Sequence, residues 1–148
     1  MEIEGAGTAP EVMEKTLQDN LAKVTAGGVC DVFWMVLDSV LLNGPKKDWL
    51  SKLWKPAAAE GKVPYLVEAE ALVKTQIDFG SFAITPNLVD MAGQAVQQIE
   101  SIIKDGANPE EVGIESVVSV NKILNRSKAE AAGVKLKNEN LSGVKVLE

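Results

Sequence analysis

The sequence predicts an α/β fold built on a mainly parallel sheet flanked by helices, and three observations carry that expectation. Short runs rich in β-branched and aromatic residues alternate along the chain with segments whose apolar residues recur at helical spacing. The best of the strand runs, VCDVFWMVL (Val29 to Leu37), is apolar on both alternating sides apart from Asp31, the pattern of a central parallel strand covered on both faces. The composition, 46% apolar and 24% charged over 148 residues, supports a sizeable core in a single domain.

The elements follow in order. In TAPEVMEKTLQDNLAKV, Thr8 with Glu11 makes a capping-box pattern, Pro10 suits a first helical turn, and Met13, Leu17, Leu21 and Val24 form one apolar stripe. Gly27 and Gly28 end that helix ahead of the first strand, in which Trp34 is expected to be core. The stretch NGPKKDWLSKLWKPAAAEGK opens on a turn signal, carries Trp49, Leu50, Leu53 and Trp54 on one helical face, and is bent or broken at Pro56. VPYLVE and FGSFAIT read as the second and third strands, with a short helix and turn in AEALVKTQID between them. NLVDMAGQAVQQIESIIKDG is the strongest helix, its stripe running through Leu88, Ala92, Val96, Ile99 and Ile103 to a terminator at Gly106. GIESVVSVNKIL reads as a strand, NRSKAEAAG as a short helix capped by Asn125 or Ser127 and closed by Gly133, and GVKVL as a last strand.

Composition also removes whole classes of function. A net charge of −6 without a Lys/Arg cluster offers nothing to nucleic acid or to an anionic membrane. The chain has no histidine, so Ser-His-Asp and Cys-His nucleophile pairs and the usual zinc sites are absent. The single cysteine, Cys30, has no partner in the chain for a disulfide and is expected to be a buried, inert thiol. No stretch is long enough to span a membrane, and the opening MEIEGAG does not read as a signal peptide. GAGTAP lacks the third glycine and the preceding strand of a dinucleotide loop.

Ligands of open parallel sheets bind beyond the carboxyl ends of the strands. Asp38 and Ser39 close the first strong strand, and Glu68 closes the second, which makes these three the candidate ligand-binding residues. The alternative at the same positions is structural: Asp38 or Ser39 caps the next segment, and Glu68 and Glu70 face water. Trp49 and Trp54, beside Leu50 and Leu53, fit core packing better than a ligand wall. The carboxylates have no histidine, phosphate loop or metal cluster to work with, so no catalytic constellation is present and the chain is not expected to be an enzyme.

CDVFWMVLDS, VPYLVEAEALVK, FGSFAITPNLVDMAGQAVQQIESIIKDGANPEEVGIESV and ILNRSKAEAAGV resemble successive blocks of the ABC-transporter substrate-binding proteins whose better-known members bind aromatic amino acids. Asp31 and Asp38 match the first block, and Pro64 the second. Gly80, Gly93 and the segment from Ile102 to Gly106 match the middle, and Asn125, Ala129 and Gly133 the last. Three features depart from the family pattern. Ser39 stands where asparagine is usual, the connection NGPKKDWLSKLWK is several residues longer, and Glu68 falls where a small polar residue is common.

The resemblance covers the second half of such proteins only. It implies one lobe of a type I periplasmic binding protein over residues 1–148, with 79–106 as the segment that crosses back to the other lobe, and hence a fragment of a longer protein. It further implies a solute-binding component of an ABC importer, with a small-molecule solute such as an amino acid held between two lobes and an ABC permease as partner. No metal or organic cofactor is expected. In full length the protein would be periplasmic or extracellular and anchored as a lipoprotein, its signal lying outside this chain. A segment made to dock on a missing lobe leaves apolar surface and an open strand edge, so self-association is expected, with FGSFAIT a candidate for exchange. Two other classes stand beside it: a ligand-sensing domain on the same scaffold in a signalling protein, and a small α/β enzyme.

Overall fold

The computed structural model describes residues 9–44, 47–74 and 76–148. They form a mixed α/β architecture on a five-stranded sheet of order β1-β2-β3-β4-β5: β1 Phe33–Met35, β2 Tyr65–Val67, β3 Phe82–Pro86, β4 Val120–Asn125 and β5 Val144–Leu147. β1 pairs β2, β2 pairs β3 and β4 pairs β5, all parallel. Between β3 and β4 the direction reverses. The amide of Asn125, at the end of β4, donates to the carbonyl of Ser81, just before β3, at 2.9 Å. The described residues fall into two compact units, one up to Ile84 together with Lys122–Glu148, the other Thr85–Asn121. The expected crossing segment, 79–106, straddles that boundary.

In the first unit, helix α1, Pro10–Thr25, enters on Pro10 after Ala9, whose side chain makes no cap; the expected cap Thr8 lies outside the described residues. Met13, Leu17 and Leu21 are buried as the spacing predicts. Thr25 rather than Val24 completes the buried row, its hydroxyl donating to the Leu21 carbonyl at 2.8 Å. Gly27 and Gly28, both left-handed, then turn the chain towards β1. Helix α2, Ser39–Asn43, follows β1 directly.

The next helical segment changes pitch. Leu50–Trp54 is a π turn, closed by the Lys55 amide on the Leu50 carbonyl, and α3, Lys55–Glu60, continues from it. Pro56 has no N–H to give the Lys52 carbonyl and its ring crowds that oxygen, so the turn ahead of it widens. The wider turn leaves both Trp49 and Trp54 buried at 1% exposure. Trp54 donates to the Leu41 carbonyl at 2.6 Å, which ties the π turn to α2.

One face of the sheet carries the core. Met35, Tyr65, Val67, Ala83 and Ile123 point into it and meet Leu17, Leu21, Trp54 and Phe79. Phe33, Trp54, Tyr65 and Phe79 stack as a chain of tilted and edge-on rings with centroids 5.2–6.0 Å apart. Such contacts add about 0.5–1.5 kcal/mol per pair beyond the area they bury. AEALVKTQID holds a 3-10 turn, Glu70–Leu72, that seats Leu72 and Val73 in this core. Helix α6, Arg126–Ala131, is capped by Asn125, whose Oδ1 accepts from the Lys128 amide at 3.1 Å, and Gly133 beyond it is left-handed as predicted.

Two expectations fail at β1. It is an edge strand of three residues, not a long central one, and Trp34 is 61% exposed, not core. Val32, Trp34 and Val36 alternate with the core-facing Phe33 and Met35 and are left uncovered. An all-apolar run hides this alternation, because two-sided and one-sided burial look the same once the outward residues are also apolar. Cys30 lies ahead of the strand and is half-buried, its thiol donating to the Val24 carbonyl at 3.7 Å.

In the second unit, α4, Leu88–Ile103, is capped by Asn87, whose Oδ1 accepts from the amides of Val89 and Asp90. Short helix α5, Pro109–Val112, follows, and only the last part of GIESVVSVNKIL, from Val120, is strand. No residue of α4 is buried. Its glutamine side faces its own unit: Gln94 donates to Glu115 at 2.7 Å and to the Ser116 carbonyl at 3.0 Å. Ser119 donates to Asp90. The apolar stripe is left outside, with Leu88 66%, Val96 54%, Ile99 54% and Ile103 76% exposed. No helix among the described residues is long and apolar enough to cross a membrane.

Candidate functional site

The carboxyl ends of β1 and β2 lie side by side because the strands pair in register, Phe33 with Tyr65 and Met35 with Val67. The chain leaves β1 through Val36 and Leu37 to Asp38 and leaves β2 at Glu68, so the three predicted residues share one edge. Two of these loops are joined directly: the Leu37 amide donates to Glu68 Oε2 at 3.2 Å. Asp38 is the N-cap of α2. Its Oδ1 accepts from the amides of Val40 and Leu41, both at 2.8 Å, which holds that oxygen in place. Ser39 is the first residue of α2 and is exposed, as is Asp38, while Glu68 is half-buried.

The structural alternative holds for Asp38, and polar atoms remain beside the cap. Asp38 caps, as the structural alternative required, yet only one of its oxygens is used in doing so. Among the described residues no hydrogen bond engages its Oδ2, the Ser39 hydroxyl or Glu68 Oε1, which lie at the ends of the paired strands. Two carboxylates and a hydroxyl accept hydrogen bonds and favour a cation, so the rim matches the ammonium or hydroxyl groups of a small solute rather than an anion. Glu70 does not join them. Its Oε1 is held by Lys74 at 3.1 Å and Lys145 at 3.3 Å, and hydrogen bonds from Lys74 first and then Lys145 keep its carboxyl below the usual range.

Neither Trp49 nor Trp54 reaches this edge as a ligand wall, since both are in the core. Among the described residues no three His, Cys, Asp or Glu side chains converge as a metal ion would need.

A second feature went unpredicted. The sheet face opposite the core holds a groove of about 590 Å³. Val32, Leu66, Phe82, Ile84 and Leu124 form its floor, the segment from Val134 to Ser142 flanks it, and Lys122, Lys135 and Lys137 stand around it. It includes none of Asp38, Ser39 and Glu68. A wide apolar floor with few convergent polar groups suits a macromolecular cover better than a small polar solute, so the strand ends remain the candidate solute site. The sequence signal for the groove is the even-numbered alternation of β-strand positions, opposite the core-facing odd-numbered ones and blurred by the same all-apolar runs that conceal Trp34.

No protein-family model and no curated protein matches the sequence. Solved structures do share the fold. One is the ABC domain of Streptococcus pneumoniae in complex with L-Trp, with a TM-score of 0.58 at 15% identity over 90% of this chain and 43% of that one. Another is a conserved domain protein from Vibrio cholerae, with a TM-score of 0.57 at 15% identity over 91% of this chain and 42% of that one. The chain therefore spans less than half the length of the structures it matches. At this identity the likeness is one of fold: a mixed α/β fold with a mostly parallel sheet, as the sequence predicts.

Proposed function

We propose that this chain is part of the solute-binding component of an ABC importer, of the substrate-binding family that its sequence blocks resemble. It takes a small polar solute, an amino acid foremost, at the carboxyl edge of β1 and β2. The observation that carries this reading is the fold shared with an ABC domain that holds L-Trp, together with two carboxylates at the strand ends where such sheets bind ligands. Asp38 Oδ2 and Glu68 Oε1 receive the solute's ammonium group and the Ser39 hydroxyl serves its polar end. Closure by further chain, of which the matched structures have as much again, supplies the remaining contacts and excludes water.

The chain binds and releases its solute without chemical change. Its partner is the importer's permease, and its place is the periplasm or the outer face of the cell, held there in full length by a lipid anchor. The uncovered apolar faces add self-association to the reading.

Calorimetric titration of the native full-length product with a panel of free amino acids tests it. Saturable binding is expected, weakened at least about tenfold by Glu68→Gln or Asp38→Asn, since a buried charge-assisted hydrogen bond is worth 1.5–3 kcal/mol. Asparagine keeps the cap of α2, so Asp38→Asn removes charge without removing structure. Binding unchanged in both variants, or no binding across the panel, would count against the site and the solute class respectively.

A further inference from the structure

The candidate site carries more negative charge than a neutral amino acid can balance. Asp38 and Glu68 stand at the paired ends of β1 and β2, and one oxygen of each is held by the same stretch of backbone. Asp38 Oδ1 accepts from the amides of Val40 and Leu41, both at 2.8 Å, and Glu68 Oε2 accepts from the amide of Leu37 at 3.2 Å. Leu37 and Asp38 are consecutive, so bond lengths alone put the two carboxylates within about 12 Å of each other, a span that one small solute bridges. The residues whose amides hold them include Leu37 and Val40, both apolar.

The chain commits no cation to either carboxylate. Among the described residues no lysine or arginine pairs with Asp38 or Glu68. Two residues beyond Glu68, Glu70 takes both Lys74 and Lys145. The unit Thr85–Asn121 has one cation, Lys104, already paired with Glu100, against the carboxylates of Asp90, Glu100, Asp105, Glu110, Glu111 and Glu115. The sign of the site therefore does not depend on where that unit lies. A hard divalent ion takes six or more oxygen ligands, and no third carboxylate converges with these two among the described residues.

An amino acid with an uncharged side chain brings one ammonium group and its own carboxylate. Closure around it leaves the charge of the site uncompensated, which is unfavourable away from water. A second cationic group gives each carboxylate its own charge-assisted hydrogen bond. We infer that the solute carries two cationic groups joined by a short apolar spacer, as a basic amino acid or a diamine does. Asp38 Oδ2 receives one group, Glu68 Oε1 the other, and the spacer lies along Leu37 and Val40. This rests on the reading of the strand ends as a solute site and replaces one shared ammonium by two.

Calorimetric titration of the native full-length product with L-lysine, cadaverine and L-norleucine tests it. Norleucine keeps an unbranched apolar side chain without the terminal ammonium of lysine, and cadaverine keeps both ammonium groups without the carboxylate. At least one of lysine and cadaverine is expected to bind about tenfold or more tighter than norleucine, and the tighter of the two tells a basic amino acid from a diamine. In a variant carrying both Asp38→Asn and Glu68→Gln, that preference should vanish. Both changes keep side-chain size, asparagine keeps the cap of α2, and unchanged circular dichroism confirms the fold.

Norleucine binding as tightly as both amines, the outcome if further chain brings a cation to Glu68, would overturn the inference. So would a preference for the amines that survives the double change. If another amino acid of the panel binds, weakened by the same two changes, while lysine and cadaverine do not, the dication fails and the strand-end site stands. If nothing binds, both fail.

Discussion

Gly80 is a tight point behind the candidate site, and replacing it offers a quantitative test of the core. It precedes β3 and is itself buried. A methyl group at its Cα would lie 2.7 Å from Val67 Cγ2, 3.1 Å from Val67 Cγ1 and 3.3 Å from Val73 Cγ2. The first distance is shorter than carbon–carbon contact permits, and both valines are fully buried, at 0% exposure, with nowhere to move. Gly80→Ala should therefore destabilise the chain by about 1–3 kcal/mol through overpacking. Val67→Ala alone removes both offending methyls and leaves a cavity, at a cost of about 2–3 kcal/mol. The two changes are complementary in space, because the new methyl fills part of that void. In the double variant the loss should fall short of the sum by at least about 1 kcal/mol. Urea unfolding of the four proteins, followed by tryptophan fluorescence, measures each value. Strict additivity, or a Gly80→Ala protein as stable as the parent, would refute the packing of β2 against the turn before β3. Because Val67 directly precedes Glu68, that result would also undo the placement of the candidate site.

Three further outcomes are expected. Gly93 sits inside α4 with nothing within 4 Å of a built Cβ, so Gly93→Ala should stabilise that helix by about 0.5–1 kcal/mol, seen as slower amide exchange along it. The Tyr65 hydroxyl is buried and has no hydrogen-bond partner among the described residues, and burial, reinforced by Cys30, pushes its phenol well above the ordinary range. The folded chain keeps that proton when the unfolded chain loses it, so the phenol's contribution to stability should be level below about pH 10 and then fall by about 1.4 kcal/mol per pH unit. Unfolding titrations should show that decline disappear in Tyr65→Phe. Asn125 is buried, caps α6 through Oδ1, and donates from Nδ2 to the Val73 carbonyl at 3.3 Å. Asn125→Asp keeps the cap but sets a carboxylate oxygen against that carbonyl and near Asp78, and should cost about 3 kcal/mol by thermal or urea melts.

What the sequence made legible was local and regular. Helical spacing located α1 and α4, asparagine and glycine bracketed α6, and short β-branched runs located all five strands. The failures share one cause. Periodicity tells which side of an element is apolar, not what covers it. The row Leu88, Val96, Ile99 and Ile103 is real, yet it faces outwards. Trp34 belongs to an apolar run, yet β1 is an edge and the ring lies on the open side. The π turn before Pro56 was readable only as a break, since a proline announces a missing hydrogen bond without saying how the helix absorbs it.

At the candidate site the same division holds. Position at the strand ends could be read from Asp38, Ser39 and Glu68. The sharing of Asp38 between a cap and a free oxygen, and the bond from Leu37 to Glu68, needed coordinates.

The central claim is that a small polar solute meets this chain at the ends of β1 and β2. An amide chemical-shift titration of the isotopically labelled protein with free amino acids reads it most directly. The account predicts saturable shifts concentrated at Leu37, Asp38, Ser39 and Glu68. Shifts confined to the groove residues Leu66, Phe82 and Lys122, or none at saturating solute, would contradict it.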